Sequence, residues 1–550
     1  MHWREGRTGV GGTGTTRRLA TATMAAALVA AVAGCGGDAP VTGGGLTYAI
    51  NQEPQCVDPH ATGQSVTSSV ARPVVDSLVW HDTASGELRP WLASSWSVSA
   101  DQRSWTFVLR TGVTFSDGTP FDAAAVRANL DHIVDPRTKS LGAAGVIAPY
   151  YRDSQVVDAH TVTVRLKQPF ASLLVQLSTV AFGMQSPKWL ATGGTELCTT
   201  VVGSGPFVMQ GGWRKGRGVD YVRNDAYDWA PPGAPHQGPA RLDSLHIKLI
   251  TQDSARIGAL TSGQVDAVAR VPALDVKRLE GTMRVLRAEA PGENYSLFPN
   301  TASRVFSDVR VRQAFRGGID WDNLVQRLFF GAYRTAAGPL SPATRFVAPA
   351  TTTAVPYDPA RAGQLLDEAG WRGRDAEGYR TRDGKRLTVR FASVKAAETA
   401  ENVTLSEQVQ AEARKLGFDV QIVNLPISQV INNAQRGTYE LMATGFSGPD
   451  ADVLRKLFGS DGVAVPGRMG SNIAKYRNAT LDRLLADAQL TTEEPRRAAL
   501  YAQAQKQVVD DAAVIPVYAA GSLIATTRSV DGVVFDGEAS PSFYAATRSR

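Results

Sequence analysis

The sequence predicts an α/β protein, and two patterns carry that prediction. Residues 357–445 alternate between helix-like and strand-like segments, and this repeated order favours a mainly parallel sheet. Two earlier segments, Trp105 to Arg110 and Thr161 to Leu166, alternate apolar and polar residues with a period of two. That period is typical of half-buried strands.

Within 357–445, capping residues predict where the helices begin and end. Asp358-Pro359 is expected to cap and start a helix that ends near Gly370. A strand is predicted from Leu387, and the helix after it should stop at Gly417, because glycine readily adopts the left-handed conformation that ends helices. The remaining elements predicted here are a strand over 418–423, a helix over 428–435 and a strand over 439–442.

Three further elements are predicted before residue 300. Leu46 to Ile50 is a short strand candidate, and residues 242–250 form an amphipathic, strand-like segment. Asp122 to Ile133 has apolar residues spaced for one face of a helix.

Composition and charge exclude several functional classes. The chain has 550 residues, of which 43% are hydrophobic and 20% charged, so several globular domains are expected. The net charge of +6 is spread over short, dispersed clusters such as Arg214 to Arg217. We therefore expect no nucleic-acid partner, because a nucleic-acid site needs a concentrated basic surface.

Cysteine and histidine usage argues against a local metal site. Three cysteines are too few for a disulfide-rich scaffold or a four-cysteine zinc site. Of the seven histidines, no two lie three to five residues apart. We therefore expect no metal site built from ligands adjacent in sequence, and no cofactor.

Residues 1–34 are predicted to be a signal peptide. Arg17-Arg18 precede an apolar run from Leu19 to Ala33, which is too short to span a bilayer of about 30 Å. No later apolar run approaches the length of a transmembrane helix. Thr16-Arg17-Arg18 faintly resembles a twin-arginine signal, so Sec and twin-arginine export both stay open.

The signal peptide ends at a cysteine in a lipoprotein-like context. Small residues before Gly34-Cys35 resemble a bacterial lipobox, which implies that Cys35 carries a diacylglycerol and becomes the first mature residue. The alternative is an ordinary signal peptide with an incidental cysteine. If Cys35 is lipidated, residues 35–45 are the lipidated cysteine and a flexible tether. The glycine-rich part of this tether has a mean reach of about 16–19 Å.

Six motifs occur in a fixed order along the rest of the chain. They are Leu92 to Phe121, Gly203-Ser-Gly-Pro-Phe207, Gly263-Gln-Val-Asp266, Asp308 to Asp320, Tyr357 to Trp371, and Ile515-Pro-Val-Tyr518. Together they resemble the large extracytoplasmic solute-binding proteins of ABC importers, the oligopeptide/dipeptide/nickel-binding family (family 5). The resemblance covers nearly all of residues 46–545.

The resemblance implies a two-lobed α/β clamp of the periplasmic-binding-protein type (class II) with an inserted accessory domain. Lobe I is expected from residues 46–80, 203–300 and 516–550, the accessory domain from 81–202, and lobe II from 301–515. The chain should cross between the lobes near Asn300 and near Ile515. Two crossover strands make a suitable hinge, because closure then changes φ and ψ at only a few residues.

The resemblance also implies ligand contacts from lobe II. Peptide-binding relatives place an aspartate in the region of Phe446, Asp450 and Asp452, where it pairs with the α-ammonium of the ligand. A buried ammonium needs such a countercharge. The alternative is that Asp450 and Asp452 cap the helix that starts at Val453. The chain has Phe446-Ser-Gly-Pro449 where several relatives have the pattern Trp-Thr/Ala-x-Asp.

Two further sets of residues match ligand-binding positions of relatives. Thr62-Gly63-Gln64 correspond to a loop whose backbone meets an extended peptide, which would explain tolerance of peptide sequence; an ordinary glycine turn is the alternative. Tyr518 lies near the second crossover, either lining the cleft or packed in the core. In the family layout, Cys56 and Cys198 both lie near lobe I, and we predict a disulfide between them in an oxidising compartment.

The expected function is capture of an extracytoplasmic solute, a peptide first of all, by a monomeric protein anchored to the membrane through Cys35. Its partners would be the permease and ATPase subunits of an ABC importer. We expect no enzyme: the sequence has no phosphate-binding loop of the Walker type, and Gly203 and Gly205 are too close to Ser204 for a nucleophile elbow. The alternatives are another solute in the same fold (a metal chelate, haem or a glycoside) and an envelope regulator without a transport role.

Overall fold

The structure, a computed structural model, describes residues 43–549 except Ala84, residues 352–354, residues 395–398 and Met469. The predicted signal peptide, the lipidation site Cys35 and most of the predicted tether lie outside the described residues. Within the described ranges, no helix is long and apolar enough to cross a membrane.

Lobe I is built on a seven-stranded mixed sheet. Its central strand, Gly45–Ile50, is the first strand predicted from the sequence and runs parallel to both of its neighbours. In sheet order the strands are Arg284–Glu289, Gly521–Thr526, Ala267–Ala269, Gly45–Ile50, Ser244–Leu249, Gly218–Arg223 and Phe207–Arg214. Residues 521–526 therefore return to the lobe in which the chain began.

The inserted domain is built on a four-stranded antiparallel sheet. Its strands, in sheet order, are Ala93–Val98, Ser104–Leu109, Thr161–Leu166 and Tyr151–Asp158. Trp105 and Phe107 are buried opposite Val164 and Val162, as the period of two predicts. Helix Ala123–Val134 packs on this sheet and is capped by the Asp122 carboxylate, which accepts a hydrogen bond from the Ala125 N–H at 2.8 Å.

Lobe II is built on a five-stranded sheet with three parallel strands. The strands, in sheet order, are Asp419–Asn424, Thr388–Ser393, Leu441–Thr444, Tyr295–Pro299 and Ile515–Tyr518. The first three run parallel, as the strand–helix order of the sequence predicts. Asp358 caps helix Pro359–Glu368, and Gly417, with a φ of 95°, ends helix Ala400–Leu416. The helices of this region are Pro359–Glu368, Ala400–Leu416 and Ile427–Arg436.

The other described helices and strands surround these three sheets. The helices are Ser65–Ala71, Ala143–Ile147, Leu173–Gln176, Pro187–Leu190, Asp253–Thr261, Ala273–Glu280, Val309–Gly317, Trp321–Phe329, Val453–Phe458, Ala479–Gln489 and Glu494–Asp510. The short strands are Val79–His81 with Leu88–Pro90, Gly373–Arg374 with Arg380–Arg382 and Lys385–Arg386, Val530–Asp531 with Thr547–Arg548, and Val534–Phe535 with Pro541–Ser542.

The two crossings between the lobes lie closer to lobe I than the sequence predicts. Strand Tyr295–Pro299 already belongs to the lobe II sheet, and strand Ile515–Tyr518 still belongs to it. The chain therefore crosses between Glu289 and Tyr295 and again between Tyr518 and Gly521, a few residues to the lobe I side of Asn300 and Ile515. The two strands pair with each other, and Tyr295–Pro299 also pairs with Leu441–Thr444, which fixes both in lobe II.

Candidate ligand-binding cleft

A cavity lies where lobe I and its inserted domain meet lobe II. It is a narrow recess, partly open to solvent, with room for about one water molecule or a group of that size. One side of the cavity carries charged and aromatic side chains, those of Arg72, Trp80, His81, Asp536 and Glu538. The other side is Pro449, from the loop at 446–452 of lobe II. Both lobes therefore contribute to the cavity, as a clamp requires.

Arg72 is held in place by three hydrogen bonds on the lobe I side of this cavity. Its Nε lies 3.2 Å from Oδ2 of Asp536, and both side chains are buried. Its Nη1 and Nη2 donate to Oγ of Ser77 and to the Ser178 carbonyl. The positive charge of Arg72 is thus already balanced by Asp536.

Glu538 adds a second carboxyl group to the same wall. Its Oε2 accepts a hydrogen bond from the Val180 N–H at 2.8 Å. Burial, and then the nearby charge of Asp536, raise the pKa of Glu538 to about 7. When Glu538 ionises, the two carboxylates of this wall share the single positive charge of Arg72. One negative charge is then left without a balancing charge in the wall.

Asp450, the first candidate for binding an ammonium, lies across the cleft in a completed network. It is 1% exposed, and its Oδ2 accepts hydrogen bonds from Nη2 of Arg497 at 3.1 Å and from Oγ of Ser172 at 2.9 Å. Its Oδ1 accepts from the N–H of Asp452 at 3.1 Å. Because Ser172 belongs to the inserted domain, this network joins the two sides of the cleft.

Arg497 extends the network to the inserted domain's backbone. Its Nη1 donates to the Ala171 carbonyl at 3.3 Å, and its Nη2 lies 2.9 Å from Oγ of Ser172. Asp450 thus already has a buried countercharge. Its role as a ligand contact stays a prediction, to be tested by substitution.

Asp452 occupies the cap position of helix Val453–Phe458, but its side chain makes no capping hydrogen bond. It forms an ion pair with Arg455 at 2.9 Å instead, and burial raises its pKa. Phe446 lies edge-on to Phe298, with ring centroids 6.2 Å apart, and its carbonyl accepts from the Glu293 N–H.

The first crossing packs tightly against this loop. Gly292 has a φ of 121°, and a Cβ there would lie 2.3 Å from the Phe446 carbonyl oxygen, so no larger residue fits. Next to it, burial raises the pKa of the Glu293 carboxyl group well above its usual range. The loop at 446–448 therefore packs directly against the first crossing.

Thr62-Gly63-Gln64 form a loop that leads into helix Ser65–Ala71. Thr62 is buried, and its Oγ1 accepts from the Gln64 N–H at 3.2 Å, while Gly63 is exposed. The helix ends at Arg72, so this loop and the cavity wall are two ends of one short element. A peptide-contacting role for the loop stays a prediction.

Tyr518 is buried in an aromatic cluster at the hinge. Its ring stacks on Tyr295 with centroids 4.9 Å apart, and its hydroxyl lies 3.0 Å from Oδ1 of Asn402. These contacts match the core alternative for this tyrosine.

The structure joins Cys56 and Cys198 in a disulfide, the pairing predicted from the sequence. The backbone supports it, because the Val57 N–H donates to the Cys198 carbonyl at 3.0 Å. The bond ties the segment after the first strand to the end of the inserted domain.

Asp536 and Glu538 are functional candidates that the sequence did not reveal. They lie in a short turn near the C-terminus that matches no motif, and their partner Arg72 is 464 residues away from Asp536. The local sequence marks these residues only as part of a turn. Oδ1 of Asp536 accepts hydrogen bonds from the N–H groups of Glu538 and Ser540, a pattern typical of aspartate turns.

Known proteins resemble this chain over most of its length. It is 27% identical over 499 residues to a probable D,D-dipeptide-binding periplasmic protein of Escherichia coli, covering 88% of this chain and 90% of that protein. It is 28% identical over 479 residues to heme-binding protein A of Haemophilus influenzae, covering 83% of each. Di/tripeptide-binding protein 1 of Pseudomonas aeruginosa is 25% identical, with coverage of 90% and 91%.

Solved structures share the fold. NikA from Brucella suis in complex with Fe(III)-EDTA superposes with a TM-score of 0.80 at 24% identity, covering 92% of this chain and all of that one. DppA from Helicobacter pylori in complex with the peptide STSA superposes with a TM-score of 0.74 at 22% identity, covering 92% and 99%. The fold is thus the two-lobed α/β clamp expected from the sequence.

The model of one protein family matches residues 87–463, which is more than half of the chain. Its description is bacterial extracellular solute-binding proteins, family 5. This match agrees with the relatives, with the shared fold and with a cavity between two lobes. The chain therefore belongs to the bacterial extracellular solute-binding proteins of family 5.

Proposed function

We propose that this protein captures a short peptide in the cleft between its lobes and delivers it to the permease of an ABC importer. The α-ammonium of the peptide binds at the cavity wall formed by Asp536 and Glu538. No bond is made or broken in this process; differential affinity for the closed state is the mechanism.

The charge balance of that wall is the observation that supports a cationic ligand group. Arg72 is already paired with Asp536, so an ionised Glu538 lacks a countercharge of its own in the wall. Burial, and then the nearby charge of Asp536, raise the pKa of Glu538 to about 7. An ammonium at Glu538 would stabilise the ionised form and remove that cost. Relatives named for dipeptides and di/tripeptides agree with this ligand class.

Asp450 is the competing site for the same ammonium. An ammonium there would have to share the carboxylate with Arg497, which lies within 3.1 Å. A carboxylate that already has a buried cationic partner gains less from a second cation than one without such a partner. The balance of charge therefore favours Glu538, and the two sites are separable by substitution.

A peptide ladder tests the proposal. Tag-free mature protein is titrated by calorimetry with alanine peptides of two to five residues, each in a free-amine and an N-acetylated form. Acetylation removes the ammonium, and leaving one partner of a buried charge pair alone costs about 2–5 kcal/mol. We expect the free-amine form to bind and the acetylated form to bind at least about 30-fold more weakly.

Two outcomes would contradict the proposal. Equal affinity for free and acetylated peptides would exclude an ammonium site, and absence of binding by every peptide in the ladder would indicate a non-peptide solute. Native mass spectrometry of the purified protein, which detects ligands that copurify, identifies that solute directly.

Membrane attachment through Cys35 is the second part of the proposal. It is supported by the lipobox-like sequence before Cys35 and the glycine-rich segment after it. Two acyl chains hold a protein stably at a membrane, at about 0.8 kcal/mol per buried CH₂. A Cys35→Ala variant should leave the membrane fraction or stay unprocessed; normal processing with wild-type attachment would contradict the anchor.

The protein acts as a monomer in this scheme, which light scattering of the purified protein checks.

A further inference from the structure

Three potential metal ligands that are far apart in sequence meet at the junction of lobe I and the inserted domain. Asp58 and His60 follow the first strand, and His132 lies on helix Ala123–Val134. One ligand atom from each lies within 4.8 Å of the other two. Asp58 and His60 are buried, and His132 is partly buried.

The environment of His60 fixes which ring nitrogen is free. Its Nε2 lies 2.8 Å from the Gly183 carbonyl oxygen, which can only accept, so Nε2 carries the proton. Nδ1 is then left with a lone pair. A histidine that donates one ring N–H to a backbone carbonyl and keeps the other nitrogen for a metal is a common arrangement in metal sites.

Gln185 supplies a fourth polar group beside the cluster. It is fully buried, and its Nε2 donates to Oδ1 of Asp58 at 2.8 Å and lies 3.4 Å from Nδ1 of His60. Its Oε1 has no hydrogen-bond partner among the described residues. A buried amide oxygen without a partner is costly, and rotating this amide would turn the oxygen toward the cluster.

The distances suit a single ion. Oδ2 of Asp58 and Nε2 of His132 are 3.2 Å apart. Two ligand atoms on one tetrahedral ion with bonds of about 2.1 Å are separated by about 3.4 Å. Small side-chain shifts would therefore replace the present His132–Asp58 hydrogen bond with two bonds to a metal.

We propose that Asp58, His60 and His132 bind one divalent transition-metal ion of the zinc type, with Oε1 of Gln185 as the fourth ligand. Two imidazoles with oxygen ligands suit zinc, nickel or copper better than magnesium or calcium. The ion would connect the loop at 58–60 to the inserted domain, beside the loop at 62–64. The site is separate from the cavity at Glu538 and does not depend on the proposed function.

Zinc itself is the probe for the test. Tag-free, chelator-treated protein is titrated with zinc sulfate by calorimetry, and its melting temperature is measured with and without zinc. We expect one equivalent to bind and to raise the melting temperature. His132→Asn should weaken binding by more than about 100-fold, because loss of a ligand exceeds the 10–100-fold effect of an outer-shell group.

A matched control comes from a similar histidine elsewhere. His246 lies 2.8 Å from Asp220 on the surface but belongs to no three-ligand group among the described residues. His246→Asn should therefore keep full zinc binding. Glu538→Gln should keep it too, which separates this test from that of peptide binding.

Three results would overturn the proposal. They are no one-to-one binding of zinc by the wild type, unchanged affinity in His132→Asn, or loss of affinity in His246→Asn. The melting temperature of metal-free His132→Asn shows whether the variant is folded. If it is not, Gln185→Leu replaces it. The expected loss in zinc affinity is at least about tenfold, less than for His132, because an amide oxygen is a weaker ligand for zinc than an imidazole nitrogen.

Discussion

Asp450 and Glu538 are acidic side chains from opposite sides of the same cleft, but they differ in how their charge is balanced. Asp450 has Arg497 within 3.1 Å and two more hydrogen-bond donors. Glu538 has one backbone donor and shares Arg72 with Asp536. Burial, and then the charge of Asp536, raise its pKa to about 7. Burial of a carboxylate therefore does not identify a ligand site by itself, and we assign the ammonium to the carboxyl group whose charge is unbalanced.

The difference separates two roles of an acidic residue at the cleft, a structural link between domains and a contact to the ligand. The resemblance to peptide-binding proteins does not distinguish these roles. Asp450, with a complete set of partners, joins the inserted domain to lobe II. In our proposal Glu538, which has a backbone donor but no cation of its own, binds the ammonium of the ligand. The following predictions test this division, from the largest expected effect to the smallest.

The largest effect should come from removing the partner of Asp450. Arg497→Met leaves a buried carboxylate without a countercharge, which typically costs about 3–5 kcal/mol. We expect a large fall in the urea midpoint. Peptide affinity of the protein that remains folded should change little, as calorimetry below the transition can measure.

Asp450→Asn is the companion variant, since it removes the charge on the other side of the same pair. A variant that keeps its stability but loses peptide binding would contradict the division and restore Asp450 as the ammonium site.

A smaller effect, on binding alone, is expected at Glu538. Glu538→Gln keeps the size of the side chain and removes its charge, so free-amine peptides should lose at least about 2 kcal/mol of binding free energy. Acetylated peptides, which lack the ammonium, should bind both proteins equally. If the variant binds free-amine peptides as the wild type does, the ligand does not use this carboxylate.

The stability of the protein should depend on pH through the same residue. The pKa of Glu538 in the folded state is about 7 and its ordinary value is 4.5, so the folded protein binds a proton that the unfolded chain releases. The resulting stability is complete below about pH 4.5 and is lost as pH rises through about 7.

Glu538→Gln cannot ionise and avoids this loss. At pH 8 we expect it to be more stable than the wild type by about 3 kcal/mol, with the difference shrinking at pH 5. Urea midpoints at the two pH values measure it. A difference that is equal at both pH values would mean that the pKa is not raised.

The smallest effect is expected from Asp122→Ala, which shows how much stability is lost when a carboxylate with only a local structural role is removed. The Asp122 side chain caps a helix of the inserted domain through the Ala125 N–H. Its loss should cost about 1 kcal/mol of stability and leave peptide affinity unchanged. Any larger loss of affinity would show that the inserted domain is coupled to the cleft.

Local rules predicted the elements of lobe II well. Asp358 and Gly417 lie at the ends of helices as their capping preferences require, and the strand–helix order of 357–445 gave the parallel pairing. The crossings were less predictable, because sheet membership at Tyr295 and Tyr518 depends on pairing between strands about 220 residues apart.

The candidate sites depended on contacts that no local pattern encodes. Asp536 and Glu538 gain their significance from Arg72, at the other end of the chain. A search for histidines three to five residues apart passes over His60 and His132, which the fold brings together with Asp58. The spacing rule detects ligands on one helix and cannot detect ligands on separate elements.

Proton release on ligand binding tests the central claim most directly. At pH 6.5 the α-amine of a peptide is almost fully protonated, while a group with a pKa of about 7 is about three-quarters protonated. Calorimetry in buffers of different ionisation enthalpy should therefore show a net release of protons, less than one per free-amine peptide bound by the wild type, and none released by Glu538→Gln. Zero release by the wild type, with binding intact, would contradict the assignment of Glu538 as the ammonium site.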